Sequence, residues 1–328
     1  MDHSRRSLLI SGVAAAALCA SGPVLARTTG PTPVERHGRL QVQGSKLVDQ
    51  HGQPVTLRGM SLFWSQWGPR FYNADAIAWL RSDWKVNCIR AAIAVPSGGY
   101  LEHPEAQTAR AEAAIDAAIA QGIYIVVDWH AHDPEPAAAI RFFEHIATKY
   151  GSHPNIIYET WNEPLEHHDW PGVVKPYHQQ VIPRIRAIDP DNLIVAGTPA
   201  WSQDVDIAAA DPLDDPNLAY VLHYYATSHG QSLRDKAKLA MDRGAALFVT
   251  EYGITEYTGD GRIDEAEMRA WWDFLELHGI SHMNWSLNDK RETSAALVLG
   301  APSNGGWTDA QITRSGRLVR DHIRALND

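Results

Sequence analysis

Five short polar strings each close an apolar run of strand length in this 328-residue chain. They are Asp128-Trp129-His130, Trp161-Asn162-Glu163-Pro164, His223-Tyr224-Tyr225, Thr250-Glu251-Tyr252-Gly253 and Asn284-Trp285-Ser286, and Arg90 ends a sixth run. A carboxylate at the tip of an apolar strand needs partners to offset its desolvation. Two such carboxylates, Glu163 and Glu251, suit glycosidic bond cleavage, in which one carboxylic acid protonates the leaving oxygen and the other attacks the anomeric carbon or activates water. The alternative is structural, a buried ion pair of each glutamate with Arg58, Arg90 or a histidine; finding both at equivalent tips favours chemistry. The chain carries 12 tryptophans. Trp79, Trp271 and Trp272 fall within helical stretches and read as core, whereas Trp67 and Trp201 are free either to pack or to stack on a ligand. His130-Ala131-His132-Asp133 offers the H-x-H of metal hydrolases, but strands five and eight bring no further ligands, so no metal and no cofactor is expected. His167-His168-Asp169 reads as a solvated loop.

The elements that must carry these tips alternate along the chain. Strands are expected at 55–62, 86–93, 124–130, 156–163, 193–198, 219–225, 247–253 and 281–287. Helices are expected at 74–84, 106–121, 136–150, 173–188, 205–210, 233–243, 264–278 and 315–326. Eight strand–helix units make the count of an α/β fold of the (β/α)8 TIM-barrel type, whose active site forms at the C-terminal ends of the strands. The segment 40–55 reads as an N-terminal β-hairpin capping the barrel bottom. A single catalytic domain over 39–328 follows, with 27–38 as a flexible lead-in.

Composition narrows the functions available. Apolar residues make up 45% and charged residues 21%, which excludes a disordered chain. A net charge of −10 argues against nucleic acid or an anionic membrane as partner. Two cysteines cannot make a disulfide framework; Cys88 reads as a buried core thiol. Residues 1–26 join Arg5-Arg6 to an apolar, Ala-rich stretch and a small-residue site at Ala26. They read as a twin-arginine signal peptide, with the remaining chain exported to the periplasm or outside. A monomer is expected, with a preference for soluble or amorphous chains over crystalline fibres.

Together, DWH at 128–130, WNEP at 161–164, HYY at 223–225, TEYG at 250–253 and NWSLNDK at 284–290 resemble glycoside hydrolase family five, and within it bacterial endo-β-1,4-glucanases. The resemblance runs from LVDQHGQPVTLRGMS to the GGWTDAQI segment. It implies a retaining hydrolase of β-1,4-glucan (cellulose), with Glu163 as acid/base and Glu251 as nucleophile. Glu163 then needs a raised pKa while Glu251 stays ionised. Arg90 and Tyr225 are expected to hold Glu251, Asn162 to bond the sugar 2-hydroxyl, and His130 and His223 to orient hydroxyls or the acids. Trp285, preceding a cis peptide to Ser286, is the expected floor under the sugar. Lys290 and Glu292 are expected at the neighbouring glucose, with Trp67 and Trp201 stacking along the cleft. Phe63 stands where many relatives place a histidine. Glu159 is expected to be structural, paired with Arg58 or Arg90. The alternatives are a hydrolase of lichenan, xylan or mannan, or a silent carbohydrate-binding barrel.

Overall fold

The computed structural model describes residues 30–327; the expected signal peptide and the start of the lead-in lie outside them. Apolar runs rich in Val and Ile become eight parallel strands: β3 (Arg58–Leu62), β4 (Cys88–Ala94), β5 (Tyr124–His130), β6 (Ile156–Glu159), β7 (Ile194–Ala196), β8 (Leu218–Tyr225), β9 (Leu247–Gly253) and β10 (Ser281–Leu287). They pair in sequence order, and β10 closes on β3 to complete the barrel. The helices that return the chain are α2 (Ala74–Ser82), α3 (Pro104–Gln121), α4 (Pro136–Tyr150), α5 (Lys175–Arg186), α6 (Pro199–Ser202), α7 (Val205–Ala210), α8 (Gln231–Asp242), α9 (Glu265–His278) and α10 (Arg314–Leu326). Proline in the first turn opens α3, α4 and α5, where a missing N–H costs nothing. Asn73 and Asp264 cap α2 and α9 with their side chains.

The hairpin is β1 (Gln41–Gln43) and β2 (Lys46–Val48). Leu40, Leu47 and Val55 from this segment pack against Cys88, Val126, Ile157, Val221 and Phe248, the lower interior of the barrel. The bottom is therefore sealed by apolar contact, and the opposite end is left for polar side chains. Cys88 is fully buried, and burial pushes its thiol well above the ordinary range.

Three elements depart from the sequence reading. The expected fourth strand, 156–163, stops at Glu159; residues 161–163 leave the ladder, although Asn162 N–H still donates to Trp129 O and Glu163 N–H to Ala131 O. In the expected lead-in, α1 (Pro33–His37) forms, with a Thr32–Glu35 capping box and a bond from Val34 N–H to Gly122 O. In α6, Ala200, Trp201 and Ser202 all have positive φ, near +55°, a conformation that propensity does not anticipate. Trp201 is held there by its N–H to Pro164 O, at 2.8 Å.

Candidate active site

Parity along a strand decides which side chains enter the barrel. Above Cys88 stands Arg90, above Val126 stand Asp128 and His130, and above Val221 stand His223 and Tyr225. The ladder puts Ser61 beside Arg90, Asp128 beside Glu159, and His223 beside Glu251. Strand β9 breaks its own parity. Its partner on β8 changes from Val221↔Phe248 to His223↔Glu251, one extra residue on β9, and the β10 side shows the same shift. Such a bulge re-aims side chains. It lets Thr250 reach Glu159 inside the barrel, at 2.7 Å, while the next residue, Glu251, faces the cleft.

Arg90 is the hub. Its Nε and Nη2 donate to both oxygens of Glu159, at 2.7 and 3.1 Å. Its Nη1 donates to Glu251 Oε2 at 3.1 Å and its Nη2 to Asn162 Oδ1 at 2.7 Å. Asp128 lies 2.8 Å away. The pairing of Glu159 with Arg90 is thus present; Arg58 instead binds Glu276. The Tyr225 hydroxyl donates to Glu251 Oε1 at 2.6 Å. Burial keeps that phenol far above its usual pKa, so it remains a donor. Gly253 makes the contact possible: a Cβ there would lie 2.2 Å from the Tyr225 ring. Gly197 plays a similar part, because its Cβ would meet Trp161 O at 2.1 Å and displace the strand end that leads into Glu163.

Glu163 is held differently. His223 Nδ1 meets its Oε1 at 3.0 Å and His132 Nε2 meets its Oε2 at 3.2 Å. The other ring nitrogen of His223 lies 2.9 Å from Thr250 Oγ1. One carboxylate oxygen of Glu163, one of Glu251 and a ring nitrogen of His223 lie within 4.8 Å of one another. Burial opposes charge on His223, but its contacts with Glu159 and Glu163 outweigh that and push it up to about 9. Burial raises Glu163, yet the two imidazoles pull it below the usual carboxylate range. Burial and the facing Glu163 charge raise Glu251, against the pull of His223, Arg90 and Tyr225. In the ligand-free site the two imidazoles thus oppose the expected rise of the Glu163 pKa, and His223 is drawn toward its charged form. The cause is that two N–H donors meet Glu163, which reasoning from single strands did not bring together.

The two glutamates open into a cleft of about 730 Å³. Of the expected residues, Trp67, His130, Trp201, His223, Tyr225, Trp285, Lys290 and Glu292 line it as well; Arg90 and Asn162 sit beneath it, fully buried. Asn162 Nδ2 is buried without a hydrogen-bond partner. The Trp285–Ser286 peptide is cis, and the Trp285 ring stacks parallel to His130 at 5.3 Å. His130 Nδ1 lies 2.6 Å from Asp128 Oδ2. Burial and the Arg90 charge hold His130 well below the ordinary imidazole range, so it is neutral. Lys290 pairs with Glu292 at 2.6 Å and lies over the Phe63 ring. Phe63 packs on Trp285 at 5.4 Å, an apolar contact where a histidine would have offered polar atoms. Trp67 and Trp201 are 62% and 40% exposed, against 0% for Trp271 and 8% for Trp272, which separates the cleft tryptophans from those of the core.

Sequence reasoning missed Trp64, His132, His229 and Tyr257 on the cleft wall. All four stand beyond strand ends, in loops where parity gives no direction. For His132 the available signal was its spacing of two from His130.

The family model for cellulase (glycosyl hydrolase family 5) matches residues 48–291. Endoglucanase N of Pectobacterium atrosepticum is 46% identical over 299 residues, covering 90% of this chain and 67% of its own length. Endoglucanase 5 of Pectobacterium carotovorum subsp. carotovorum is 46% identical over 299 residues, 90% of this chain and 59% of its own. The chain thus spans about two thirds or less of the curated relatives it matches. A solved structure from Cytophaga hutchinsonii superimposes with a TM-score of 0.89 at 49% identity, over 90% of this chain and 97% of that one.

Proposed function

This chain belongs to glycosyl hydrolase family 5, and from that premise we propose that it cleaves internal β-1,4-glucosidic bonds of cellulose or related β-glucans by a retaining double displacement. The observation that carries the reading is the approach of Glu163 and Glu251 to within 4.8 Å over one cleft. Retaining enzymes hold their carboxyl groups about 5–5.5 Å apart, whereas inverting ones leave about 6.5–9.5 Å for a water.

In the first step Glu251 attacks the anomeric carbon. The glycosidic bond breaks toward the leaving oxygen, which takes a proton from Glu163. In the second step water attacks the anomeric carbon and gives its proton to Glu163, and the ester bond breaks back toward Glu251. His223 holds the required proton one 3.0 Å hydrogen bond from Glu163 and receives it again at the end of the cycle. Arg90 and the Tyr225 hydroxyl each donate to one oxygen of Glu251, which orients the carboxylate for attack. The unpartnered Asn162 N–H is free for the sugar 2-hydroxyl. Trp285 supports the reacting ring, and Trp67, Trp201, Lys290 and Glu292 hold its neighbours along the cleft.

No helix among the described residues is long and apolar enough to cross a membrane. The paired arginines and apolar stretch of residues 1–26 support export to the periplasm or beyond. Reducing-sugar release from cellulose derivatives, lichenan, xylan and mannan, with product anomers followed by NMR, tests the reading. β-Glucan turnover with the β-anomer appearing first is expected, together with a loss of about 10³-fold or more in Glu251→Ala. First appearance of the α-anomer, or an active Glu251→Ala protein, overturns it.

A further inference from the structure

The contact between His132 and Glu163 is not used by any step above. His132 follows the end of β5, and Glu163 follows the end of β6. Their backbones are tied directly, since Glu163 N–H donates to Ala131 O at 3.2 Å. The His132 ring is seated edge-on against Trp64, with centroids 5.8 Å apart. Its Nε2 then meets Glu163 Oε2, while the buried His223 takes Oε1. The carboxyl group is gripped at both oxygens and cannot rotate. The two grips differ in access: the His223 side chain is 2% exposed, whereas that of His132 is 38% exposed and lines the cleft. The charged groups facing His132 are Glu163, Glu251 and Asp133, with the His130 ring near by; together with the Glu163 hydrogen bond they raise its pKa against burial.

We propose that His132 is a positioning residue for proton transfer: by holding Oε2 it fixes the plane of the Glu163 carboxyl group, so that Oε1, which exchanges the proton with His223, keeps its line to the glycosidic oxygen. The inference rests on the assignment of Glu163 as acid/base given above. It requires no new covalent step. The proton passes from Glu163 Oε1 to the leaving oxygen as the glycosidic electron pair moves there, and His132 keeps its own N–H on Oε2 throughout.

Aryl β-cellobiosides of graded leaving-group acidity test this, because an acidic phenol departs without protonation and a glucosyl hydroxyl does not. Glu163→Ala serves as the reference: in kcat/KM, which reports the first step, it should lose about 10²–10⁴-fold on cellooligosaccharides and little on the dinitrophenyl substrate. His132→Ala is expected to follow the same slope with a smaller amplitude, about tenfold in kcat/KM on cellooligosaccharides and within about twofold in kcat/KM on the dinitrophenyl glycoside. KM should hardly move. His132→Gln, which keeps an N–H donor without an imidazole, should recover most of the loss. An equal loss on every leaving group, or no loss at all, overturns the proposal. A Glu163→Ala protein that loses kcat/KM equally on all leaving groups instead overturns the acid/base assignment.

Discussion

His223 is the residue on which pH acts. Its pKa is pushed up to about 9 by contacts with Glu159 and Glu163 that exist only in the folded chain. An unfolded histidine titrates near 6.5. The folded state therefore binds this proton more tightly, and the linked stability is fully present below about pH 6.5 and lost as pH rises through about 9. Denaturant midpoints measured from pH 6 to 10 should fall across that window, and His223→Gln should flatten the fall. The same proton serves Glu163 in the proposed mechanism, so kcat/KM should decline on its alkaline side near the same pH. A profile level through pH 10 would separate His223 from the reaction.

At the scale of the element, β9 does more than its strand pattern reveals. The extra residue before Glu251 lets neighbouring residues serve both the interior and the cleft, and Gly253 leaves room for the ring whose hydroxyl meets Glu251. Gly253→Ala places a Cβ about where the Tyr225 ring now lies. Because both positions are tightly packed, the ring must move, and the 2.6 Å bond to Glu251 is lost with it. Gly253→Ala and Tyr225→Phe should therefore lower kcat to a similar degree, and the double variant should lose little more than either alone. Additive losses would mean that Gly253 acts by another route.

Across the whole molecule, stability and chemistry are assigned to opposite ends. The hairpin plugs one mouth with apolar contacts, and the charged hub fills the other. Leu47 is 5% exposed within that plug. Leu47→Ala should cost about 2–5 kcal/mol of folding stability, read from denaturant unfolding, while kcat and KM stay near their original values. A large change in kcat would show that the two ends are coupled. Three buried carboxylates, Asp128, Glu159 and Glu251, share the guanidinium of Arg90, and the half-buried Glu163 is held by imidazoles above it.

Short apolar runs of strand length and the amphipathic stretches between them determine eight strand–helix units, because run length and helical periodicity are local properties. Strands β5, β9 and β10 and helix α4 begin and end where those patterns do. The polar strings at strand ends could also be read locally, since a carboxylate closing an apolar run is conspicuous on its own. Distance in space is not local. The bulge in β9, the early end of β6, the left-handed turn under Trp201 and the paired imidazoles on Glu163 arise from contacts between segments tens of residues apart. Where the proton rests is decided by those contacts, because a pKa depends on every charge and donor around a group and not on its own residue type.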